Sequence, residues 1–179
     1  MSAGFGKITF SLLDLHIILK VPEPVFSGKA TMFKEKIYPY LLTTAQLGSL
    51  AFLGLSAPVI AKSWDGILLE VAGIFLALHA IFVAGMHNVN ITPTPKTGGI
   101  LITGGPYRLI RHPMYLAQIV AIIPLVSDYF TLLRFSILVL LIVTLILKMH
   151  YEEKGLIKQF GEAYIEYREK TKKVLPFIY

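Results

Sequence analysis

The stretch Phe130–Met149 reads FTLLRFSILVLLIVTLILKM, and this apolar run with Arg134 near its start decides the fold class. At 1.5 Å per residue a helix of that length covers about 30 Å, the thickness of a bilayer's hydrocarbon core. Working outward, Ser127-Asp128-Tyr129 interrupts the apolar pattern and reads as a tight helical hairpin turn. Before it, Pro113–Ser127 is apolar but short for a span. Asp65–Met86 is long enough, with Glu70 and His79 inside it. Ile37–Ala61 is long enough too, interrupted by Thr43, Thr44, Gln46, Ser49 and Ser56. Phe5–Lys20 is ambiguous. It is short and carries Asp14 and His16, so it reads equally as a first span or as an interfacial helix. The same two residues argue against a cleaved signal peptide. The fold class expected is therefore all-α, a polytopic transmembrane helical bundle of four to five spans in a single membrane domain, residues 1–179.

Composition agrees with that class. Hydrophobic residues make up 55% of the chain and charged residues 16%, against about a quarter charged in a soluble domain. Mean hydropathy is +0.66. The absence of cysteine excludes disulfides, thiolate nucleophiles and Cys-ligated metals. The histidines His16, His79, His87, His112 and His150 show no metal-ligand spacing, so no metal is expected.

The net charge of +6 is distributed by topology rather than gathered into a basic arm, and no nucleic-acid partner is expected. Lys20, Lys29, Lys34 and Lys36 precede the first strong span. Lys96, Arg108 and Arg111 lie in the middle loop, and Lys154, Lys158, Arg168, Lys170, Lys172 and Lys173 follow the last span. Four spans with both ends cytoplasmic satisfy the bias of Lys and Arg toward the cytoplasm. The middle loop, His87–His112, and the tail then face the same side. That loop is long and rich in glycine and proline, and loops of this length are more often functional or disordered than plain connectors. In the tail, Leu156, Phe160, Tyr164 and Tyr167 fall on one face of a helix expected over Glu152–Thr171. This helix should lie along the membrane surface or fold over the loop.

Two clusters could carry chemistry. In Tyr107–Tyr115, Pro113 suits the first position of a helix, whose free N–H groups and dipole form an anion site beside Arg111 and His112. The alternative is that Arg, His and Tyr anchor a span at headgroup level. The second cluster is Lys148, His150, Glu152 and Glu153. Its acids either cap a helix in solvent or hold a cationic group, which an acid in a low-dielectric pocket attracts strongly. Together they outline a bipolar site, anion-holding at Arg111–Met114 and cation-holding at Glu152–Glu153. Within the spans, Glu70 is read as snorkelling to the interface and His79 as a hydrogen-bonded structural histidine, although ionisable residues at such depth invite functional readings.

The segments Asn90-Ile91-Thr92-Pro93, Pro95-Lys96, Leu101–Arg108 and Arg111-His112-Pro113-Met114-Tyr115 resemble the isoprenylcysteine carboxyl methyltransferase and phospholipid methyltransferase superfamily of integral membrane enzymes. The tail pattern Glu152-Glu153, Leu156, Phe160-Gly161, Tyr164, Tyr167 and Pro176 is similar to that superfamily's C-terminus. The resemblance covers roughly Asn88–Pro176. It divides the chain into N-terminal helices, 1–86, and a catalytic half, 87–179, made of the loop, a helical hairpin and the C-terminal amphipathic helix. It implies an enzyme that uses S-adenosylmethionine as methyl donor and acts on a lipid or other hydrophobic acceptor, either a prenylated carboxylate or a phospholipid amine. Its active site is expected to face the cytoplasm from a multi-pass membrane protein surrounded by membrane lipids.

The resemblance also implies that Leu101, Ile102, Gly105, Tyr107, His112, Pro113 and Tyr115 line the cofactor pocket. Glu152 and Glu153 are expected to hold the ammonium or ribose hydroxyls, and Arg111 and Glu152 are the expected catalytic residues. The acceptor should enter sideways between helices. Three positions depart from the family pattern. Gly99 stands where members acting on isoprenylcysteine have histidine, Lys148 where an arginine is usual, and Ala117 where glycine is usual. The alternative reading is a membrane reductase of the sterol-reductase type using NADPH, whose C-terminal half shares this architecture. A non-catalytic membrane protein of similar topology, related to heme or nitrosative stress, is a third.

Overall fold

The computed structural model describes residues 37–85, 92–94 and 98–174. The segment Phe5–Lys20 and the basic residues before Ile37 lie outside the described residues, as do His87, Asn90-Ile91, Pro95-Lys96 and Pro176. The described residues form five α-helices: α1 (Tyr38–Leu55), α2 (Trp64–Ala84), α3 (Pro113–Asp128), α4 (Leu132–Phe160) and α5 (Glu162–Lys170). A short 3₁₀ turn, Gly105–Arg108, precedes α3. Among the described residues the only β pairing is a single parallel bridge between Ile110 and Lys172.

Two of these helices, α2 and α4, are long and apolar enough to cross a membrane. The burial pattern runs opposite to that of a soluble bundle. On α1 the buried face is Leu42, Thr43, Gln46, Ser49 and Leu53, whereas Leu41, Leu47, Phe52 and Leu55 are exposed. On α2 the buried residues are Gly66, Glu70, Gly73, Ala80 and Ala84. Trp64 and Phe82, on the same helix, are 82% and 85% exposed. Large apolar faces turned outward are costly in water and neutral in lipid, while small and polar residues at helix contacts are the membrane pattern. Gly73 gives the reason for one close approach. A Cβ there would stand 2.8 Å from the Ala117 carbonyl oxygen and 2.9 Å from Ala121 Cβ, so glycine lets α2 lie directly against α3.

Helix boundaries follow local chemistry. The first span ends earlier than its hydropathy suggests, at Leu55, because Ser56 caps it through its N–H to Phe52 O and Pro58 cannot extend it. Ser63 caps α2, its hydroxyl accepting from Gly66 N at 3.2 Å. Asp128, at the end of α3, accepts from the Lys62 and Ser63 N–H groups at 2.6 and 3.1 Å and ties that turn down. The turn expected at Ser127–Tyr129 is present, with Thr131 capping α4 by accepting from Arg134 N at 3.2 Å. Arg134 itself is 3% exposed. It donates to Ser56 Oγ and to Leu125 O, joining α1, α3 and α4 at this end.

Three expectations are corrected. Glu70 does not snorkel, because it is buried and accepts from Ala61 N at 3.0 Å, satisfying a backbone donor in the α1–α2 connection. His79 is exposed on the outer face of α2 beside Phe75, with no hydrogen bond among the described residues. The amphipathic tail is not one helix. The last span runs on without a break to Phe160, and Gly161, at φ +56°, turns the chain before α5.

A candidate small-molecule site at one end of the bundle

The end of the bundle carrying the α3 N-terminus is built around a short extended pairing. Arg111 N donates to Lys172 O at 2.8 Å, His112 N to Lys173 O at 3.1 Å, and Lys172 N to Leu109 O at 3.0 Å. These bonds hold the C-terminal segment beside the residues leading into α3. Tyr167 OH donates to Tyr107 O at 2.8 Å and fixes α5 over the 3₁₀ turn. The tail therefore folds over the loop, one of the two arrangements its apolar stripe allowed.

Beneath this cover lies a cavity of about 330 Å³, within the usual size range of small-molecule sites. One wall is the loop, with Thr92, Thr94, Gly99, Ile100, Leu101 and Ile102, and Tyr107 beside it. The start of α3 contributes Arg111, His112, Pro113, Met114 and Tyr115, with Gln118 one turn on. From α4 come Lys148, Glu152, Leu156, Gln159 and Phe160, and from α5 Tyr164 and Tyr167. Gln46, Leu47 and Leu50 of α1 close the far end, and Ala84 of α2 also borders it.

Of the residues singled out in the sequence, Leu101, Ile102, Tyr107, Arg111, His112, Pro113, Tyr115 and Glu152 line this cavity, and Gly105 and Glu153 stand behind it. Gly105 has φ +53°, and a Cβ there would meet Val83 Cγ2 at 2.7 Å, so it lets the 3₁₀ turn lie against α2. Glu153 is 7% exposed. It is not a solvated cap, since its carboxylate accepts from Arg111 Nε at 2.8 Å and lies 3.3 Å from His112 Nε2 and 3.5 Å from Lys173 Nζ. Arg111 also donates through Nη1 to Arg168 O at 3.1 Å and to Thr171 O. Its Nη2 has no hydrogen-bond partner among the described residues.

Glu152 is the carboxylate on the cavity side. It accepts from Tyr115 OH at 3.0 Å, and His112 Nδ1 lies 3.8 Å away. The His112 and Tyr115 rings stack at 5.5 Å, which orients both along the cavity wall. Burial, reinforced by the charge of Glu152, pushes the Tyr107 hydroxyl up to about 12. Burial also raises Tyr164 and Tyr167, so all three remain neutral hydroxyls at physiological pH. The Tyr164 hydroxyl is buried without a hydrogen-bond partner among the described residues. Such a group is costly to leave unpaired.

Sequence reasoning missed the far end of the cavity. Gln46 was legible only as a polar interruption in a span, and Lys148, although part of the second cluster, gave no sign that it would pair with Gln46. Gln118 carried a usable signal, three residues beyond Tyr115 and so on the same helical face. Lys173 gave no signal, because its pairing with Glu153 depends on the fold of the tail.

Fold and cavity define a class: an outwardly apolar helical bundle with an aromatic, charge-lined cavity at one end. The family model described as phospholipid methyltransferase matches residues 61–163, and the chain belongs to this family. The match reaches back to Ala61 and so takes in α2, ahead of the motif segments. Human protein-S-isoprenylcysteine O-methyltransferase is 32% identical over 127 residues, which cover 65% of this chain and 42% of that protein. The chain thus spans less than half the length of this relative.

Proposed function

We propose that the protein is a membrane methyltransferase that uses S-adenosylmethionine and methylates a lipid or other hydrophobic acceptor. The observation that carries this reading is the cavity itself, which joins the Arg111–Tyr115 segment, Glu152 and the tyrosine-bearing tail in a chain of the phospholipid methyltransferase family. The lining suits a zwitterionic, aromatic ligand. Glu152 offers a carboxylate for an ammonium or for ribose hydroxyls, and Arg111 Nη2 offers a donor for a carboxylate beside the α3 N-terminus. Tyr107, His112, Tyr115 and Tyr164 supply rings and hydroxyls, and Leu101, Ile102 and Pro113 supply apolar wall. Gly105 and Glu153 act from behind, the first by permitting close packing and the second by fixing Arg111 and His112.

When bound, the cofactor supplies a methyl group on a positively charged sulfur, with a neutral thioether as leaving group. The residues' part is to bind, align and exclude water, which can supply a large share of a methyl-transfer rate. In this reading Arg111 and Glu152 hold the charged end in register. The 3₁₀ turn and α5 keep solvent out. The distribution of Lys and Arg supports four spans, α1 to α4, with the cavity on the cytoplasmic side. The reductase alternative is not favoured by the family match.

Calorimetric titration of the purified protein with S-adenosylmethionine and with NADPH tests the proposal. We expect the methyl donor to bind and NADPH not to, with Glu152→Gln weakening donor affinity about tenfold. Binding of NADPH without binding of the methyl donor would overturn it.

A further inference from the structure

Next to the backbone pairing of the tail, the buried charge network behind the cavity reaches the surface at Lys173. Its Nζ lies 3.5 Å from Glu153 Oε2 and 3.3 Å from His150 Nε2. The Lys173 and Glu153 side chains are 12% and 10% exposed, whereas His150 stands exposed on α4. The proton positions on the histidine are forced. Its Nδ1 lies 2.7 Å from the Ile146 carbonyl oxygen, which can only accept, so Nδ1 carries the ring hydrogen. Nε2 of the neutral ring is then a bare acceptor. The Lys173 ammonium, which can only donate, points a hydrogen at it.

On the inner side, Glu153 divides its two oxygens. Oε1 serves Arg111 Nε at 2.8 Å and His112 Nε2 at 3.3 Å, and Oε2 serves Lys173. Arg111 and His112 both line the cavity. A continuous path therefore runs from an exposed ring, through an ammonium and a buried carboxylate, to two side chains of the cavity wall.

We propose that His150 is a positioning residue for the donor site. By holding Lys173 on Glu153, it sets the rotation of that carboxylate and hence the placement of Arg111 and His112. Its effect on the methyl donor rests on the methyltransferase reading, whereas its hold on the tail does not.

The physical argument concerns where an ammonium at the protein's edge comes to rest. Water draws it outward, and ordering the lysine side chain costs rotamer freedom. It stays over a buried carboxylate when acceptors also meet its remaining hydrogens. His150 Nε2 meets one of them from the solvent side. Without that acceptor Lys173 turns toward water, and Glu153 Oε2 loses a donor. The bonds from Arg111 N to Lys172 O and from His112 N to Lys173 O then lose a side-chain tether. A cation at position 150 acts more strongly than an apolar side chain, because like charges would meet where donor and acceptor now do.

The test uses the full chain in detergent and three substitutions at this exposed position, where global stability is expected to change little. His150→Gln keeps a neutral acceptor, His150→Leu removes it, and His150→Lys puts a cation in its place. Amide hydrogen exchange of Thr171–Val174 is measured without ligand, together with the dissociation constant for S-adenosylmethionine. Exchange is expected to rise about fivefold in His150→Leu and further in His150→Lys, with donor affinity falling about threefold or more. His150→Gln should stay within about twofold of the wild type in both quantities. In a Lys173→Met background, His150→Leu should change neither, since its influence passes through the ammonium. The assignment is overturned by exchange that ignores His150→Leu and His150→Lys, or by donor affinity that holds while the tail loosens. Failure of His150→Gln to rescue, or an effect of His150→Leu that persists without Lys173, overturns it as well. If the wild type does not bind S-adenosylmethionine, the methyltransferase reading falls instead, and the exchange rates still decide whether His150 holds the tail.

Discussion

Replacing Arg111 with alanine removes the pivot on which the tail is mounted. Its side chain is 8% exposed and donates to Glu153 at 2.8 Å, to Arg168 O at 3.1 Å and to Thr171 O. The substitution strands a buried carboxylate and uncaps the end of α5. Removing one partner of a buried ion pair costs about 3–5 kcal/mol. Here the lower part of that range applies, because His112 and Lys173 remain within 3.3 and 3.5 Å of Glu153. Removing both charges is a different perturbation. Arg111→Met combined with Glu153→Leu leaves no orphaned ion, and such replacements are often neutral or stabilising. The assay is a double-mutant cycle on unfolding in detergent, with hydrogen exchange of Thr171–Val174 as a local readout. The double variant is expected to recover most of the loss seen in Arg111→Ala, and exchange in the tail should rise in the single variant. If Arg111→Ala unfolds within about 0.5 kcal/mol of the wild type, the change is no larger than that of an ordinary surface substitution. The pair would then hold nothing together, and the account of the tail as a cover fastened by Arg111 would fail.

Two further outcomes follow from the packing of the 3₁₀ turn and from the buried tyrosines. Gly105→Ala is expected to destabilise by about 2–4 kcal/mol, combining left-handed backbone strain with overpacking against Val83. Adding Val83→Ala should return only the packing part, and equal unfolding midpoints for the single and double variants would contradict that geometry. Burial raises the hydroxyls of Tyr107, Tyr164 and Tyr167, Tyr107 to about 12. A phenol with a raised folded-state value binds its proton longer when folded than when unfolded. Its contribution is therefore complete below the unfolded value near 10 and is lost as pH rises through about 12. Phenolate absorbance should consequently appear together with unfolding on alkaline titration, and ionisation of these tyrosines in a still-folded protein would refute their burial.

Much of this protein was legible in the sequence because lipid simplifies the reading. A bilayer demands long apolar helices, so Phe130–Met149 and Asp65–Met86 declared themselves through length and composition alone. Pro113 announced a helix start, and the Arg111–Tyr115 motif named the family. Helix faces were harder to assign. Where both core and surroundings are apolar, hydropathy cannot say which side of α1 or α2 turns inward, and the answer came from small and polar residues such as Gly73, Gln46 and Ser49.

Tertiary structure decided the site. Glu152 and Glu153 are adjacent in sequence and equal in chemistry, but neighbouring positions on a helix point about 100° apart. One therefore lines the cavity while the other is held by Arg111, His112 and Lys173 behind it. Lys148, Gln46 and Gln118 are separated by up to 102 residues, yet they form one chain because α1, α3 and α4 converge at the cavity's far end. The sequence by itself determined a helical membrane protein of this family with a cluster of ionisable residues at one end. Which of those residues line the cavity and which face each other depended on helix rotation and the folding back of the tail, and neither leaves a periodic trace in the sequence.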